Sequence, residues 1–149
     1  MTTATKTRPS ATRNRLPCTK NIWAEDVKVD RLVQCVRQGL PMSVFTALKT
    51  DLGVADTILA QIVDISPRTL TRRRHEGRLQ PAESDRLWRI GHLFERASKL
   101  LGGPAKAREW FKRPKKALGG KTPIEYTDTE PGINEVENLL GRIEHGVFS

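Results

Sequence analysis

Apolar residues recur every three or four positions through most of the chain, which is the period of amphipathic helices. The first apolar stripe consists of Val29, Leu32, Val33 and Val36. It is expected to end at Gly39, and a second helix should run from Pro41 to Gly53. The pattern contains no convincing strand and no internal repeat. The predicted fold class is therefore all-α.

The most informative stretch is residues 56–75, which is typical of two short helices joined by a tight turn. The apolar positions expected to hold the two helices together are Leu59, Ala60, Val63, Ile65 and Leu70. Asp64 occupies the turn, where aspartate tolerates left-handed backbone better than most residues. Ser66 is a favoured N-cap, and Pro67 suits the first helical position because its missing N–H needs no partner there. The stretch predicts a helix-turn-helix.

The second helix of this motif leaves a basic face exposed. The residues predicted to bind DNA are Ser66, Arg68, Thr71, Arg72, Arg73, Arg74 and Arg78. Arg68, Thr71 and Arg72 are expected to face the major groove, and the other arginines to meet phosphates. Arg73 falls where such motifs usually carry a semi-buried apolar residue, and its aliphatic stem could fill that place. The alternative is an ordinary helical hairpin with a solvated arginine face.

Three further helices are predicted beyond the motif. The longest starts at Pro81 and ends at the glycine pair 102–103, a shorter one spans 104–113, and the last spans about 132–145, after a loop-rich segment. The buried stripe of the longest helix is Leu87, Ile90, Gly91, Phe94, Ala97 and Leu101. That of the last helix is Ile133, Val136, Leu139, Leu140 and Ile143.

These elements predict a disordered basic tail at 1–20, a helix-turn-helix DNA-binding domain at 21–80 and a second small helical domain at 81–149. The tail has almost nothing to bury, and it is either an inert leader or a basic arm that adds non-specific attraction to DNA. Net charge is +9. Residues 66–121 hold sixteen basic and five acidic residues, whereas 122–149 hold one basic and six acidic ones. The basic middle therefore suits a polyanion, and the acidic end should serve another partner.

Catalytic and metal-binding patterns are not found in the sequence. The three histidines, His75, His92 and His145, are scattered, and His92 is expected to be partly buried and structural. Cys18 and Cys35 do not make a disulfide framework or a metal site, so both are interpreted as reduced thiols. With no apolar run of membrane-spanning length and no signal-peptide core, we expect a cytoplasmic, non-enzymatic protein without cofactors and without membrane association.

From about Val54 onward, roughly two thirds of the chain resembles the Xre/MbcA/ParS antitoxins. The segments that carry the resemblance are ISPRTLTRRRHEGRL at 65–79, PAESDRLWRI at 81–90, WFKRPKKALGGKTPIEY at 110–126 and GINEVENLLGRIEHGVFS at 132–149. A tryptophan before a Pro-Lys-Lys segment, a Gly-Gly-x-x-Pro turn and a closing Arg-Ile-Glu-His-Gly-Val form a specific combination. The chain departs from the family at Glu125-Tyr126, where apolar residues are usual.

The resemblance implies a two-part antitoxin. Its helix-turn-helix would bind the promoter of its own operon, and residues 81–149 would be the toxin-binding domain for a RES-domain toxin. RES toxins act on NAD⁺ or have a pocket for it, so NAD⁺ would belong to the partner. A homodimer is expected as well, because a single recognition helix contacts few base pairs. The rival hypothesis is a stand-alone transcription repressor whose C-terminal region serves only for dimerisation.

The end of the chain is the expected contact with the toxin. The residues predicted to bind it are Arg142, Glu144, His145, Gly146, Val147, Phe148 and Ser149. In one interpretation Phe148 and the terminal carboxylate enter the toxin's NAD⁺ pocket, with Gly146 supplying the bend. In the other, the Val-Phe pair folds back on the last helix as a hydrophobic cap.

Overall fold

A computed structural model describes residues 20–146 of the 149-residue chain, and over that range it is all-α, as the sequence predicted. The helices are α1 (Val29–Gln38), α2 (Met42–Leu52), α3 (Asp56–Ile62), α4 (Pro67–Glu76), α5 (Pro81–Leu101), α6 (Pro104–Lys112), α7 (Pro123–Tyr126) and α8 (Glu130–Glu144). Short 3₁₀ turns cover Lys20–Trp23 and Lys116–Leu118. The tail was predicted at 1–20; its residues 1–19 and the last three residues of the chain, 147–149, lie outside the described residues, whereas Lys20 belongs to the first 3₁₀ turn.

The helix-turn-helix is formed by α3 and α4, with the turn predicted for Asp64. This residue has φ 62°, the left-handed conformation that its position requires. All five predicted contact residues of the motif are buried: Leu59, Ala60, Val63, Ile65 and Leu70 are 0–4% exposed. Helix α2 completes this part of the core with Phe45, Leu48 and Leu52.

Helix α5 is the centre of the molecule, because α1, α6 and α8 all pack on it. The predicted stripe is buried through Leu87, Ile90, Phe94 and Ala97. Aromatic residues fix α6 against it: the Phe94 and Phe111 rings lie 6.0 Å apart, centroid to centroid. Since α5 starts beside the helix-turn-helix and also contacts α6 and α8, it joins the two halves of the chain physically.

Trp23 packs into this centre although no helical pattern was predicted before residue 25. Its side chain is 7% exposed, and its Nε1 donates to the Trp88 carbonyl oxygen at 3.0 Å. A Cβ added at Gly91 would meet the Trp23 ring at 2.0 Å, so glycine is required there for close packing. The glycine in the predicted apolar stripe is therefore the place where the N-terminal turn docks.

The segment between α6 and α8 is more ordered than the loop that we predicted. It contains α7 and a 3₁₀ turn, and α8 begins at Glu130, two residues before the expected start. The Thr129 hydroxyl caps α8 by accepting from the Gly132 N–H at 3.1 Å. A Cβ at Gly132 would meet the Tyr126 carbonyl oxygen at 1.8 Å, so α8 approaches the end of α7 very closely.

Two expectations about single side chains were wrong. His92 is exposed instead of partly buried, and its ring stacks on Trp88 with centroids 4.9 Å apart. Cys35 is buried and disulfide-bonded instead of a reduced thiol. The sequence carries no signal for such a bond, because pairing depends on which thiols the fold brings together. No helix of the described part of the chain is long and apolar enough to cross a membrane.

Candidate nucleic-acid interface and C-terminal surface

Helix α4 presents the predicted basic face to solvent. Arg68, Thr71, Arg72 and His75 are exposed, and their spacing of three and four residues puts them on one side of the helix. The opposite side buries Leu70 and Arg73 against the rest of the fold. The structure therefore brings together Arg68, Thr71 and Arg72, the three residues expected to face the major groove.

The start of α4 is fixed by side-chain hydrogen bonds. The Ser66 hydroxyl oxygen accepts from the Thr69 N–H at 3.2 Å, and Pro67 occupies the first turn, as the sequence predicted. Thr71 donates its hydroxyl to the Pro67 carbonyl oxygen at 3.2 Å. Both hydroxyls remain on the exposed surface, but they already have partners within the helix, so Ser66 serves first as the cap of α4.

Arg73 does not lie on the exposed face. Arg73 as a whole is 7% exposed. Its guanidinium forms a bidentate pair with Glu83 of α5: Nε donates to Oε1 at 2.8 Å, and Nη2 donates to Oε2 at 2.9 Å. A third hydrogen bond joins Nη1 to Glu76 at 3.2 Å. This placement is at odds with the phosphate contact that we expected of Arg73, because its donors already have carboxylate partners. We assign it instead to holding α4 against α5.

Glu83 has two structural tasks. It receives the Arg73 guanidinium, and its Oε1 accepts from the Gln80 N–H at 2.9 Å in the capping box of α5. Burial by itself would raise the pKa of Glu83, but the hydrogen bonds from Arg73 and Gln80 and the nearby arginine charges together outweigh it and hold the pKa below its usual value. The same pairing raises the pKa of Arg73. Both groups are therefore charged at neutral pH.

Arg74 and Arg78 are exposed but not unpartnered. Arg74 pairs with Asp56 at the start of α3, and Lys49 lies 3.1 Å from the other oxygen of that carboxylate. The hydrogen bond from Lys49, together with the bond and charge of Arg74, lowers the pKa of Asp56. Arg78 donates to the Gly39 carbonyl oxygen at 2.9 Å, which ties it to the end of α1.

The C-terminal candidates lie on and just after α8. Glu144 pairs with Arg96 of α5 at 2.8 Å. Arg142 lies 3.5 Å from Glu135, about two turns earlier on the same helix. His145 and Gly146 are exposed, and Gly146 has φ 73°, which turns the chain away from the helix direction. Val147, Phe148 and Ser149 lie outside the described residues, so the two interpretations of the tail stay predictions.

Several structurally decisive residues were missed by the sequence reasoning. Glu83 and Glu76 hold Arg73, and Asp56 holds Arg74. Glu83 carried a signal that could have been used: it stands three residues after Gln80, the spacing of a capping box. No such signal exists for Asp56, whose partner lies eighteen positions away. Over the residues that the structure describes, His, Cys, Asp and Glu form no group that could hold a metal ion.

Comparison with known families finds two matches, which cover successive parts of the chain. The Antitoxin Xre-like helix-turn-helix domain matches residues 31–91, and the Antitoxin Xre/MbcA/ParS C-terminal toxin-binding domain matches residues 96–146. The likeness therefore begins earlier than Val54, where the sequence motifs placed its start.

Three relatives carry the name Antitoxin Xre. The protein of Yersinia enterocolitica serotype O:8 / biotype 1B is 35% identical over 150 residues, 99% of this chain and 96% of the relative. That of Photorhabdus laumondii subsp. laumondii is 34% identical over 76% of this chain and 78% of its own length. That of Pseudomonas putida is 36% identical over 53% of this chain and 50% of its own length.

Proposed function

This chain belongs to the Xre/MbcA/ParS family of antitoxins, and we propose that it neutralises a RES-domain toxin and represses its own operon. The family assignment gives it a helix-turn-helix domain and a C-terminal toxin-binding domain. One observation carries the proposal further. The exposed arginine face of α4 and the toxin-binding domain are joined by a single continuous helix, α5, so the two activities reside in one folded unit.

The DNA-binding half of the proposal rests on the surface chemistry of α4. Arg68, Thr71 and Arg72 would reach base edges in the major groove, where arginine binds guanine with two hydrogen bonds. Arg74 and Arg78 would contact phosphates, and Arg74 would then exchange its Asp56 partner for DNA. Promoter DNA of the chain's own operon is the proposed target, and a DNA-binding protein of this kind would act in the cytoplasm.

The choice of a RES-domain toxin rests on the segments at 65–79, 110–126 and 132–149, which resemble antitoxins paired with such toxins. In the proposed complex, the tail after α8 enters the toxin's NAD⁺ pocket. The pair of Glu144 with Arg96 anchors the end of α8 to α5 and fixes the point from which the tail leaves. The left-handed Gly146 then supplies the bend, and a short tail on an anchored helix loses little entropy on insertion.

A homodimer is also proposed, because two recognition helices could then bind half-sites one DNA turn apart. Of the apolar surfaces considered from the sequence, the one around Leu87 and Phe94 is buried within the chain. Helix α1 instead leaves Val29 73% and Val33 37% exposed, one turn apart on the same side. This side of α1 is the proposed dimer contact. Light scattering should report twice the mass of one chain. The variant Val29→Glu should reduce the measured mass to that of a single chain.

The experiment that tests the main proposal is co-expression with the RES-domain protein encoded next to this chain. We expect the two proteins to co-purify, and cells to keep their NAD⁺ and grow when both are present. A chain lacking residues 146–149 should still fold, by circular dichroism, but should protect cells poorly. Full protection by the truncated chain would refute the tail insertion. Failure of the full-length chain to bind the toxin would refute the RES assignment itself.

A further inference from the structure

A groove of about 930 Å³ lies between α3 and the segment that leads into α8. Its apolar lining combines both halves of the chain: Ile58, Ile62, Ala117, Ile124, Tyr126 and Pro131. None of the DNA-binding candidates and none of the tail residues lines it. The groove is therefore a surface that neither the α4 face nor the C-terminal tail accounts for. We call it the α3–α7 groove.

Ile58 is the feature of this groove that most needs an explanation. Its neighbours on α3, Leu59 and Ile62, are 0% and 6% exposed, whereas Ile58 is 43% exposed. Among the described residues, the other exposed large apolar side chains are Val29 and Val33, on a different helix. Ile58 is continuous with the apolar lining of the groove, and a contiguous apolar surface, unlike a single exposed isoleucine, is a candidate contact with another protein.

The charge around the groove argues against DNA as its occupant. Its rim carries the carboxylates of Glu125, Asp128 and Glu135 against the single ammonium group of Lys121. Glu135 is partly neutralised by Arg142 at 3.5 Å. Glu125 and Asp128 form no salt bridge within the described part of the chain. An acidic rim repels phosphates and attracts lysine or arginine, so the fitting partner is a protein segment with an apolar residue next to a base.

We propose that the α3–α7 groove is a second contact site for the toxin, separate from the tail. Residues 117–135, which form most of the groove, lie inside the segment that matches the toxin-binding domain. The groove is thus continuous with a surface assigned to the toxin, and an inserted apolar side chain would cover Ile58. The inference rests on the proposed function, because it requires that this chain binds a toxin.

The two contact sites are far enough apart to be tested separately. The groove reaches α8 at residues 131–135, and the tail leaves the same helix after Glu144. Nine residues of helix correspond to roughly 14 Å at 1.5 Å per residue. A toxin that spans both sites would touch α3, the helix beside α4. Gln61 lines both the groove and the adjoining cleft along α4.

Such a contact would link toxin binding to DNA binding. If the toxin alters the position of α3, the affinity of the chain for its operator changes, and by linkage DNA changes the affinity for the toxin by the same factor. Binding at the tail alone does not require any contact with the helix-turn-helix, whereas binding in the groove does, because Ile58, Gln61 and Ile62 line it. The groove therefore explains how a partner of the C-terminal domain can reach the DNA-binding domain.

The test measures the affinity of the full chain for the purified, catalytically inactive RES-domain toxin. Ile58→Glu should weaken toxin binding about tenfold or more, because it places a charged carboxylate where an apolar contact is proposed. Thr57→Glu is the matched control: it adds the same charge to the same helix, about 100° round its axis, and should change toxin affinity less than twofold. Ile58→Ala is a milder variant that should weaken binding severalfold. It replaces Ile58→Glu as the test if the glutamate variant does not fold.

The outcomes separate the groove from the rest of the proposal. If wild type binds the toxin and both Ile58 variants bind it equally well, the groove inference is overturned while the antitoxin function stands. If Ile58→Glu lowers the mass of the free protein and leaves toxin affinity unchanged, the groove holds a second copy of this chain and the inference is again overturned. If wild type does not bind the toxin, the proposed function has failed and the inference with it.

Discussion

The buried pair of Arg73 and Glu83 gives the sharpest prediction about this fold. The pair joins α4, the proposed recognition helix, to the first turn of α5, and the two side chains are 9% and 14% exposed. Replacing Arg73 by methionine keeps most of the aliphatic stem but removes the guanidinium. Glu83 would then remain in a mostly buried place with only the Gln80 N–H as a hydrogen-bond donor.

The expected cost follows from the geometry. Arg73→Met removes two charge-assisted hydrogen bonds of 2.8 and 2.9 Å and leaves an uncompensated carboxylate. Removing one partner of a buried ion pair typically costs about 3–5 kcal/mol. Because neither side chain is fully buried, we expect a value near the lower limit, about 3 kcal/mol. The third bond, to Glu76, adds little because that carboxylate is 46% exposed.

A double-mutant cycle in urea unfolding isolates the interaction. Arg73→Met should lower the free energy of unfolding by about 3 kcal/mol, and Glu83→Leu by a similar amount because it also removes the α5 cap. The double variant carries no buried charge, so it should be more stable than the sum of the two single effects predicts, by about 1–3 kcal/mol. Arg96→Met is the control, since its pairs with Glu137 and Glu144 are more exposed.

DNA binding over a salt series supplies the second measurement. Arg74→Ala removes a proposed phosphate contact and should reduce the salt slope by about 1. Arg73→Met should leave the slope unchanged, because its guanidinium faces carboxylates and not DNA, although affinity should fall if α4 is misplaced. The structural assignment would be refuted if Arg73→Met had wild-type stability and a salt slope reduced as in Arg74→Ala. Arg73 would then be assigned to a phosphate contact.

Three further predictions follow from the same contacts. The double variant Arg68→Ala, Arg72→Ala should lose operator affinity by about 1–3 kcal/mol per base-contacting arginine, with relaxed specificity, in gel shifts on the chain's own promoter; unchanged specificity would exclude these residues from base contact. Because the folded-state pKa of Glu83 lies below its ordinary value of 4.5, its stabilisation is present above pH 4.5 and is lost as pH falls through the folded-state pKa. Urea unfolding of Glu83→Gln should therefore depend less on pH in this acidic range than that of wild type, and equal dependence would contradict the assignment. Gly91→Ala should destabilise the chain by about 1–3 kcal/mol, since its Cβ would lie 2.0 Å from the Trp23 ring. Thermal unfolding of this variant at the wild-type temperature would contradict the prediction and show that the turn at Lys20–Trp23 can move aside.

Helix type, order and approximate limits were determined by the sequence itself, because they depend on local patterns. Apolar residues at helical spacing, together with glycine, proline and serine at the helix ends, predicted α2, α4 and α5 correctly. The left-handed turn at Asp64 was likewise readable, since few residue types tolerate that backbone. Local preferences failed only for short elements such as α7, whose four residues carry too little periodicity to be recognised.

The partners of charged side chains were decided by the tertiary structure alone. Arg72, Arg73 and Arg74 are adjacent and chemically identical, and the sequence predicted that all three would meet DNA. Packing of α4 on α5 buries Arg73 on Glu83 and turns Arg72 outward, because residues 100° apart on a helix face different neighbours.

Surfaces built from distant segments were equally invisible in the sequence. Ile58 lies in the helix-turn-helix and Tyr126 in the other half of the chain, and only the fold makes them the two sides of one groove. A linear pattern records which face of a helix is apolar, but it does not record what that face meets. For this protein the basic helix could therefore be predicted from residues 66–78, whereas the arginine that holds it and the groove beside it required the packed structure.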